Sequence, residues 1–452
     1  MRVLKFGGTS VGIAANAEQA LRLVRERARQ DLVVVVSALS GVTNQLVELA
    51  RAGAPREAIA EEIARRHLDH ARALGVAESV LARHLATLRE EAARSPRDVA
   101  LSPADADRVL AHGERLAAEL FAAALTARGT PARAVIAGEA GLVTDEQFGQ
   151  ATPLPEAAAR IAGALADRSQ LPVVTGFIGV TRDGATTTLG RGGSDYSAAI
   201  LGAALGAEEI EIWTDTNGML SADPRIVPEA RPVPRLSFAE ASELAYFGAK
   251  VLHPKTLLPA MEKGIPVRVL NTARPDDPGS LITATAEPEP RGWRAKSIAS
   301  KQGITAVTIA SSRMLLAHGF LARVFDVFGR HRVDVDLVTT SEVSISVTVD
   351  DTSRLPDLVA ELQAIGRVDV REGLAVVAFV GEGAPTQVGL AGHVFTLLGG
   401  VGVRVEMISQ GASRVNLSFV VAASEAARVV RLLHRGLGLD AEPATEPAIA
   451  IR

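Results

Sequence analysis

The sequence predicts an α/β domain with a mainly parallel sheet, followed by two ferredoxin-like βαββαβ modules. In residues 1–285, Val- and Ile-rich runs alternate with long Ala-rich helical patterns, an alternation typical of parallel sheets. A Pro-rich stretch at 275–291 then leads into a part with a different order of strands and helices. That order nearly repeats after about 70 residues, which indicates an internal duplication.

The predicted strands of the first domain are apolar runs without polar alternation, as a sheet covered on both faces requires. They lie at residues 3–6, 32–36, 172–180 and 209–213. Helical periodicity predicts the main helices at residues 17–29, 58–70, 103–128 and 155–167.

The pattern also predicts the domain limits. We expect a first domain over 1–285, a linker over 286–302, a first module over 303–373 and a second over 374–452. The second module lacks its last strand, because the tail at 440–452 is rich in Pro, Ala and Glu. We expect a strand near residues 294–299, ahead of the first module, to fill that gap.

The composition excludes several classes of protein. The chain has 452 residues, of which 47% are hydrophobic, and its net charge of −4 without a basic block argues against nucleic-acid and membrane-surface partners. No apolar run approaches the roughly 20 residues of a membrane span, and residues 1–7 resemble a strand more than a signal peptide. Cysteine is absent, which excludes disulfides, thiolate catalysis and zinc-thiolate sites. We therefore expect a cytoplasmic protein.

A Gly-rich turn follows the first strand directly, with the sequence Lys5-Phe6-Gly7-Gly8-Thr9-Ser10. Adjacent Gly residues let the backbone approach an anion, and their N–H groups can hold phosphate oxygens. Lys5 stands out because the chain otherwise strongly prefers arginine, which favours a need for a compact charge. The alternative is a tight turn with a solvated lysine. The P-loop and protein-kinase motifs do not occur in the sequence.

A second Gly-rich loop, residues 186–197, precedes an apolar helix. Gly190, Gly192 and Gly193 surround Arg191, which leaves the main chain free to approach a ligand. Ser194 is predicted as the N-cap of that helix, with Asp195 in the first turn, where the helix dipole favours a carboxylate. An ordinary capped helix would not need three glycines here.

Other candidates resemble ordinary turns or helices when each is taken alone. They are Thr214-Asp215 after a strand, the turn Asp223-Pro224-Arg225, Lys250 in a Gly-containing turn, and Glu114 in a predicted helix. A solvated acid is the default for Glu114. His67 and His70 have helical spacing without an evident carboxylate partner, so we predict no protein metal site.

Taken in order, these segments resemble the aspartate kinases of the amino acid kinase family, and the duplicated tail resembles their paired ACT domains. The matching segments span nearly the whole first domain and are residues 5–11, 37–44, 112–114, 176–179, 187–197, 213–218, 223–225 and 247–254. Residues 314–321 and 336–343 are most similar to the monofunctional, lysine-sensitive class. The resemblance implies L-aspartate and ATP as substrates, with Mg²⁺ held mainly by the phosphates.

The resemblance also implies a role for each matched residue. Lys5, Gly7, Gly8 and Asp195 would be catalytic, with Lys5 neutralising the transferring phosphoryl group. Aspartate would be bound by Glu114 at its α-ammonium and Arg191 at its α-carboxylate, with help from Ser37, Thr43 and Ser194. ATP would be bound by Lys5, Gly7, Gly8, Thr9, Thr214, Asp215, Leu220, Arg225 and Lys250.

The resemblance implies that the paired ACT domains form amino-acid effector sites between two subunits. It therefore also implies a homodimer, alone or within a tetramer. The residues implied for an L-lysine effector are Met314, Gly319, Phe320, Leu321, Asp336, Ser341 and Glu342. A helix N-terminus offers N–H donors to the ligand carboxylate, and the two acids suit a diamino acid. The alternative is that both acids are solvated turn residues.

Two other functions stay open on the residues alone. A kinase of glutamate or N-acetylglutamate would differ by about one methylene in the acceptor pocket, worth only about 1–3 kcal/mol. A non-catalytic amino-acid sensor would have lost Lys5, Arg191 or Asp195, and all three are present. The resemblance and the paired modules favour aspartate.

Overall fold

The computed structural model describes residues 1–27, 31–94, 98–248, 252–286, 292–314, 318–410 and 414–440. The chain divides into two compact units. Unit 1 comprises Met1–Met219, Pro234–Ser242 and Lys250–Ala286, and unit 2 comprises Leu220–Val233, Glu243–Ala249 and Glu287–Arg452. Among the helices of the described residues, none is both long and apolar enough to cross a membrane.

Unit 1 is built on an eight-stranded sheet and a separate two-stranded hairpin of β5 and β6. The sheet order is β3-β4-β2-β1-β7-β9-β10-β8, and all neighbours are parallel except β9 and β10. The strands are β1 (Arg2–Phe6), β2 (Leu32–Val36), β3 (Ala132–Val135), β4 (Leu171–Thr175), β5 (Ile178–Val180), β6 (Thr186–Thr188), β7 (Glu209–Thr214), β8 (Arg235–Ser237), β9 (Val267–Asn271) and β10 (Ser280–Thr283).

The strand order creates a switch point beside β1. This strand pairs with β2 on one side and with β7 on the other, so that Phe6 lies opposite both Val36 and Trp213. Open α/β sheets bind ligands outside the carboxyl ends of their strands at such a point. Phe6 and Trp213 are both fully buried, and their rings stack with centroids 6.1 Å apart. The strand ends that face the crevice are therefore held by the core itself.

Helices cover both faces of this sheet, which explains why β2 is buried at every position. They are α1 (Gly8–Gly12), α2 (Ala14–Arg27), α3 (Val42–Leu49), α4 (Arg56–Ala73), α5 (Ala82–Arg94), α6 (Pro103–Leu110), α7 (His112–Ala127), α8 (Ala157–Ala164), α9 (Gly193–Leu205), α10 (Phe238–Tyr246) and α11 (Pro254–Lys263).

Two predicted elements are each divided in the structure. The helix predicted at 103–128 is α6 and α7, separated at Ala111. A Cβ on Gly113 would lie 2.7 Å from the Cβ of Ala38, so the start of α7 packs directly on the loop after β2. The strand predicted at 172–180 is β4 and β5, because Phe177 between them has a φ of 65° and interrupts the extended chain.

Unit 2 contains a six-stranded antiparallel sheet in the order β12-β13-β11-β14-β16-β15. Its strands are β11 (Ser297–Ala310), β12 (Val338–Thr340), β13 (Ser344–Val349), β14 (Arg367–Val380), β15 (Met407–Ser409) and β16 (Asn416–Ala422). Its helices are α12 (Phe320–His331), α13 (Leu355–Leu362), α14 (Leu390–Gly400) and α15 (Ala426–Gly436). The order confirms the predicted class, an α/β domain with two βαββαβ modules.

The long strands β11 and β14 run through both modules. The first half of β11, where a strand was expected near 294–299, pairs with the second half of β14 from Ser297 opposite Val380 onward. The second half of β11 pairs with β13 of the first module. Each module keeps its own apolar core, one around Phe320 and Phe328 and the other around Phe379 and Phe419.

Unit 2 also contains two segments from within the predicted first domain, Leu220–Val233 and Glu243–Ala249. Ala222 and Val227 belong to the core of the second module, and the Ser221 hydroxyl forms a 2.9 Å hydrogen bond with Nε2 of His434 in α15. The sequence-based limit at 285 assigned both of these segments to the first domain. The segment Leu220–Val233 belongs to unit 2 because its Ala222 and Val227 side chains are buried in the core of the second module. The sequence alone does not reveal this burial.

The surroundings of Gly202 and Gly163 predict opposite effects of a Gly→Ala substitution on stability. A Cβ on Gly202 in α9 would lie 2.6 Å from Cδ1 of the buried Ile210, whereas a Cβ on Gly163 in α8 would meet nothing within 4 Å. We expect Gly202→Ala to lower the free energy of unfolding by about 1–3 kcal/mol through overpacking. We expect Gly163→Ala to raise it by about 0.5–1 kcal/mol. Urea denaturation of both variants measures this, and a gain at Gly202 would contradict the packing.

Candidate active site

A cavity of about 620 Å³ opens at the carboxyl ends of β1 and β2. Its walls come from β1, the loop after β2, α3, α7, the loop after β6 and the first turn of α9. The predicted residues that line it are Lys5, Gly8, Ser37, Thr43, Glu114, Arg191, Ser194 and Asp195. Residues that are far apart in the sequence therefore meet in one place.

Lys5 and Asp195 form an ion pair at the base of the cavity. Lys5 Nζ lies 2.5 Å from Asp195 Oδ1, and the two side chains are only 9% and 13% exposed. Partial burial strengthens such an attraction because little water screens it. The pair holds a positive charge in a fixed position at the end of β1.

Asp195 lies in the first turn of α9, as the sequence predicted, but the predicted N-cap is wrong. The N-cap is Gly192, whose φ of 70° is a left-handed conformation that favours glycine. A Cβ there would also lie 2.8 Å from the Cβ of His253. Ser194 instead lies inside the first turn, packed against Gly176, where an added Cβ would be 2.6 Å from its own.

Glu114 is buried in the first turn of α7, so its interpretation as a solvated acid is wrong. Burial raises the pKa of the Glu114 carboxyl to about 8, against smaller lowering effects of the Ala38 N–H and the Lys5 charge. The Ala38 N–H donates to Oε1 at 3.1 Å. In the described part of the chain, Oε2 has no hydrogen-bond partner although it is buried. One oxygen is thus held by the protein, and the other is free.

Arg191 is exposed at the mouth of the cavity. No hydrogen bond or ion pair joins its guanidinium to another described residue. A planar guanidinium with free donors is suited to a bidentate contact with a carboxylate. Glu114 and Arg191 therefore present an acid and a cationic fork to the same space.

The glycines of the first turn serve the site in different ways. The Gly7 N–H donates to Trp213 O at 2.9 Å, so this donor is not available to a phosphate as the sequence suggested. The N–H groups of Gly8 and Thr9 begin α1 and have no acceptor within that helix. A Cβ on Gly8 would lie 2.8 Å from Ala38 O, so only glycine allows this approach to the loop after β2.

The residues predicted for ATP are only partly brought together. Thr214 ends β7 and Asp215 follows it, and the hydrogen bond from the Gly7 N–H to Trp213 O places them beside the turn after β1. Leu220 and Arg225 belong to unit 2, where Arg225 is paired with Asp223 at 2.5 Å. Lys250 lies outside the described residues.

The residues predicted for the effector all belong to unit 2. Asp336 is not a solvated acid, because its side chain is 2% exposed and both oxygens lie 3.2 Å from Lys301 Nζ. The Tyr246 hydroxyl also donates to Asp336. Glu342 is exposed, and Ser341 forms a 2.7 Å hydrogen bond with Ser344. Met314 lies in a short 3₁₀ turn, and Gly319 is the N-cap of α12, which begins with Phe320 and Leu321.

Two residues near the site were not anticipated. Phe177 lines the cavity in the left-handed conformation that divides β4 from β5. Asp107 in α6 is buried and hydrogen-bonded to Gly149 and to Thr188 at the end of β6, both of which line the cavity. Neither carried a signal in the sequence, because an aspartate in a helix and an aromatic residue after a strand are both ordinary.

Comparison with known proteins places the chain in a family. Residues 1–271 match the amino acid kinase family, and residues 307–354 and 377–437 match an ACT domain family. Lysine-sensitive aspartokinase 3 of Escherichia coli is 39% identical over 96% of this chain and 98% of its own. The chloroplastic aspartokinase 3 of Arabidopsis thaliana is 38% identical over 96% of this chain and 80% of its own.

Solved structures agree with the sequence relatives. E. coli aspartokinase III in complex with aspartate and ADP superposes with a TM-score of 0.83 at 37% identity, covering 97% of this chain and 99% of that one. The same enzyme in complex with lysine and aspartate gives a TM-score of 0.77 at the same coverage. These matches confirm the predicted resemblance and the expected class of enzyme. The chain belongs to the aspartokinases of the amino acid kinase family.

Proposed function

We propose that this aspartokinase transfers the γ-phosphate of ATP to the β-carboxylate of L-aspartate, giving 4-phospho-L-aspartate, and that L-lysine inhibits it. The observation that carries the reaction is the cavity in which the Lys5–Asp195 pair, Glu114 and Arg191 meet. The aspartate and ADP complex of the E. coli relative supports the substrates, and its lysine complex supports the effector.

Aspartate binding needs an anion for its α-ammonium and a cation for its α-carboxylate. Glu114 Oε2 supplies the first and the exposed guanidinium of Arg191 supplies the second, and neither has a hydrogen-bond partner among the described residues. The hydroxyls of Ser37, Thr43 and Ser194 line the same cavity and can orient the acceptor. The β-carboxylate is then directed toward the Lys5 charge.

The chemistry needs no general base. An aspartate side chain has a pKa near 4, so the nucleophile is already ionised at pH 7. The obstacle is the approach of two anions, which positive charge and fixed geometry overcome. Lys5, kept in position by Asp195, neutralises charge on the transferring group, while the Gly8 and Thr9 N–H groups, which have no acceptor within α1, can donate to phosphate oxygens.

ATP would extend from this turn along the carboxyl end of β7, where Thr214 and Asp215 lie; Leu220, Arg225 and Lys250 stay predictions. The described residues contain no group of three or more His, Asp or Glu side chains arranged for a metal. We propose that Mg²⁺ arrives with ATP and keeps phosphate oxygens and water as its main ligands. The bound ion would neutralise phosphate charge.

The paired modules suit regulation by an amino acid. We propose that they bind L-lysine, which the lysine sensitivity named for the E. coli relative supports, and that they form a homodimer. Lys301 already pairs with Asp336, whereas Glu342 is exposed and available to a ligand ammonium. The cytoplasmic location and the limits of the domains stay predictions.

A coupled assay with aspartate, glutamate and N-acetylglutamate as acceptors tests the substrate. Of the three acceptors, we expect only aspartate to be phosphorylated.

Lys5→Ala should lower kcat about a thousandfold, because it removes the charge opposite the transferring phosphoryl group. Lys263→Ala, at an exposed lysine that ends α11, is the matched control and should keep the wild-type rate. More than a tenth of wild-type kcat in the Lys5 variant would refute its role.

The raised pKa of Glu114 predicts a pH dependence of aspartate binding. With the pKa at about 8, most of the carboxyl is protonated at pH 7, and only the ionised form attracts an ammonium. The KM for aspartate should therefore fall about tenfold from pH 7 to pH 9, while the KM for ATP stays level. Glu114→Gln should remove this dependence. An aspartate KM that is flat or rises over this range would contradict the assignment.

The effector proposal predicts inhibition of the wild type by millimolar or lower lysine. Loss of a charge-assisted contact is worth about 1.5–3 kcal/mol, so Glu342→Ala should raise the half-inhibitory lysine concentration at least about tenfold. Glu372→Ala, which removes another exposed acid of unit 2, is the control. Threonine and methionine are titrated alongside. A wild type insensitive to lysine would remove the effector and leave the kinase intact.

A further inference from the structure

We infer that Asp107 is a positioning residue that fixes the separation between Arg191 and Glu114. The inference rests on the proposed function, because it concerns the two groups assigned to the α-carboxylate and the α-ammonium of aspartate. Asp107 lies near the end of α6 and is 1% exposed, and it is not among the residues that line the cavity. It therefore acts through its neighbours.

The Asp107 carboxylate joins two separate segments of the chain. Oδ1 accepts a hydrogen bond from the Thr188 hydroxyl at 2.8 Å. Oδ2 accepts from the Thr188 N–H at 2.8 Å and from the Gly149 N–H at 2.9 Å. A buried carboxylate is costly unless it is fully bonded, so this geometry is strongly enforced.

Both segments lead directly to the substrate wall. Thr188 and Gly149 line the cavity, and Thr188 ends β6 three residues before Arg191. Between them, Gly190 has a φ of 79°, and a Cβ there would lie 3.0 Å from Gly149 O. The loop that carries Arg191 therefore packs closely against the segment at Gly149, which is also hydrogen-bonded to Asp107. This packing restricts the backbone conformation of the loop.

The backbone of Asp107 reaches the opposite wall. Its carbonyl accepts the Ala111 N–H at 3.0 Å, and α7, which carries Glu114, begins at the next residue. An α-amino acid presents its ammonium and carboxylate at one fixed separation. A shift of about 1 Å between Glu114 and Arg191 would therefore weaken aspartate binding markedly.

A separate hydrogen bond joins β6 to α7 rather than to α6, between side chains that lie outside the cavity lining. Arg115 of α7 donates from Nη2 to the Thr186 hydroxyl at 3.0 Å, two residues before Thr188 on β6. Neither partner lines the cavity. Thr186→Val therefore removes one hydrogen bond between β6 and a neighbouring helix while it leaves the Asp107 bonds to Thr188 and Gly149 in place, which makes it the matched control.

Two substitutions separate the length of the Asp107 side chain from its charge. In Asp107→Asn, the amide oxygen can accept both N–H bonds and the amide nitrogen can donate to the Thr188 hydroxyl, so the geometry is kept. Asp107→Glu keeps the charge and adds a methylene. We expect the aspartate KM to rise at least about tenfold in the Glu variant and less than about threefold in the Asn variant, with the ATP KM unchanged.

The experiment measures both KM values, kcat and Tm for the wild type and all variants, with Thr186→Val expected to lower Tm at an unchanged aspartate KM. If Asp107→Glu does not fold, Asp107→Ala replaces it with the same expectation. An Asn variant impaired as much as the Glu variant would overturn the inference, because charge would then matter. A Thr186 variant with the same rise in aspartate KM would also overturn it. A wild type without aspartate turnover would instead remove the proposed function.

Discussion

The ion pair between Lys5 and Asp195 joins the end of the central strand β1 to the first turn of α9, two elements almost 200 residues apart in the chain. β1 is fixed by parallel pairing on both sides, and Gly192 fixes where α9 begins. The two charges therefore meet without adjustable loops. A charge held this way costs no reorganisation when a phosphoryl group arrives, which is the condition for electrostatic catalysis.

The order of strands in the sheet explains why motifs that are weak individually in the sequence together form one site. The turn after β1, the loop after β2 and the turn after β7 lie together because the sheet order places these strands side by side. Gly8 lets the first turn approach the second, and the Gly7 N–H bonds to the end of β7. Each motif alone could be an ordinary turn, but the sheet brings all three to one edge.

The sequence allowed prediction of the features that depend on local pattern. The apolar strands, the duplicated modules and the charged residues in Gly-rich loops all follow from periodicity and composition. The break at Ala111, the cap at Gly192 and the burial of Asp107 and Asp336 did not follow. Each of these depends on a contact with a distant segment, such as the loop after β2, His253, Thr188 or Lys301. Local propensity carries no information about such contacts.

Three acidic residues around the cavity, Asp195, Asp107 and Glu114, carry the same carboxyl group in three different environments. Asp195 is compensated by the Lys5 charge, and Asp107 by three hydrogen bonds from its neighbours. Glu114 is fully buried, and its backbone hydrogen bonds and the Lys5 charge do not offset that burial, so its pKa rises to about 8. The first acid holds a charge in place and the second holds the backbone. The third is left under-compensated, and an incoming ammonium is the partner that completes it.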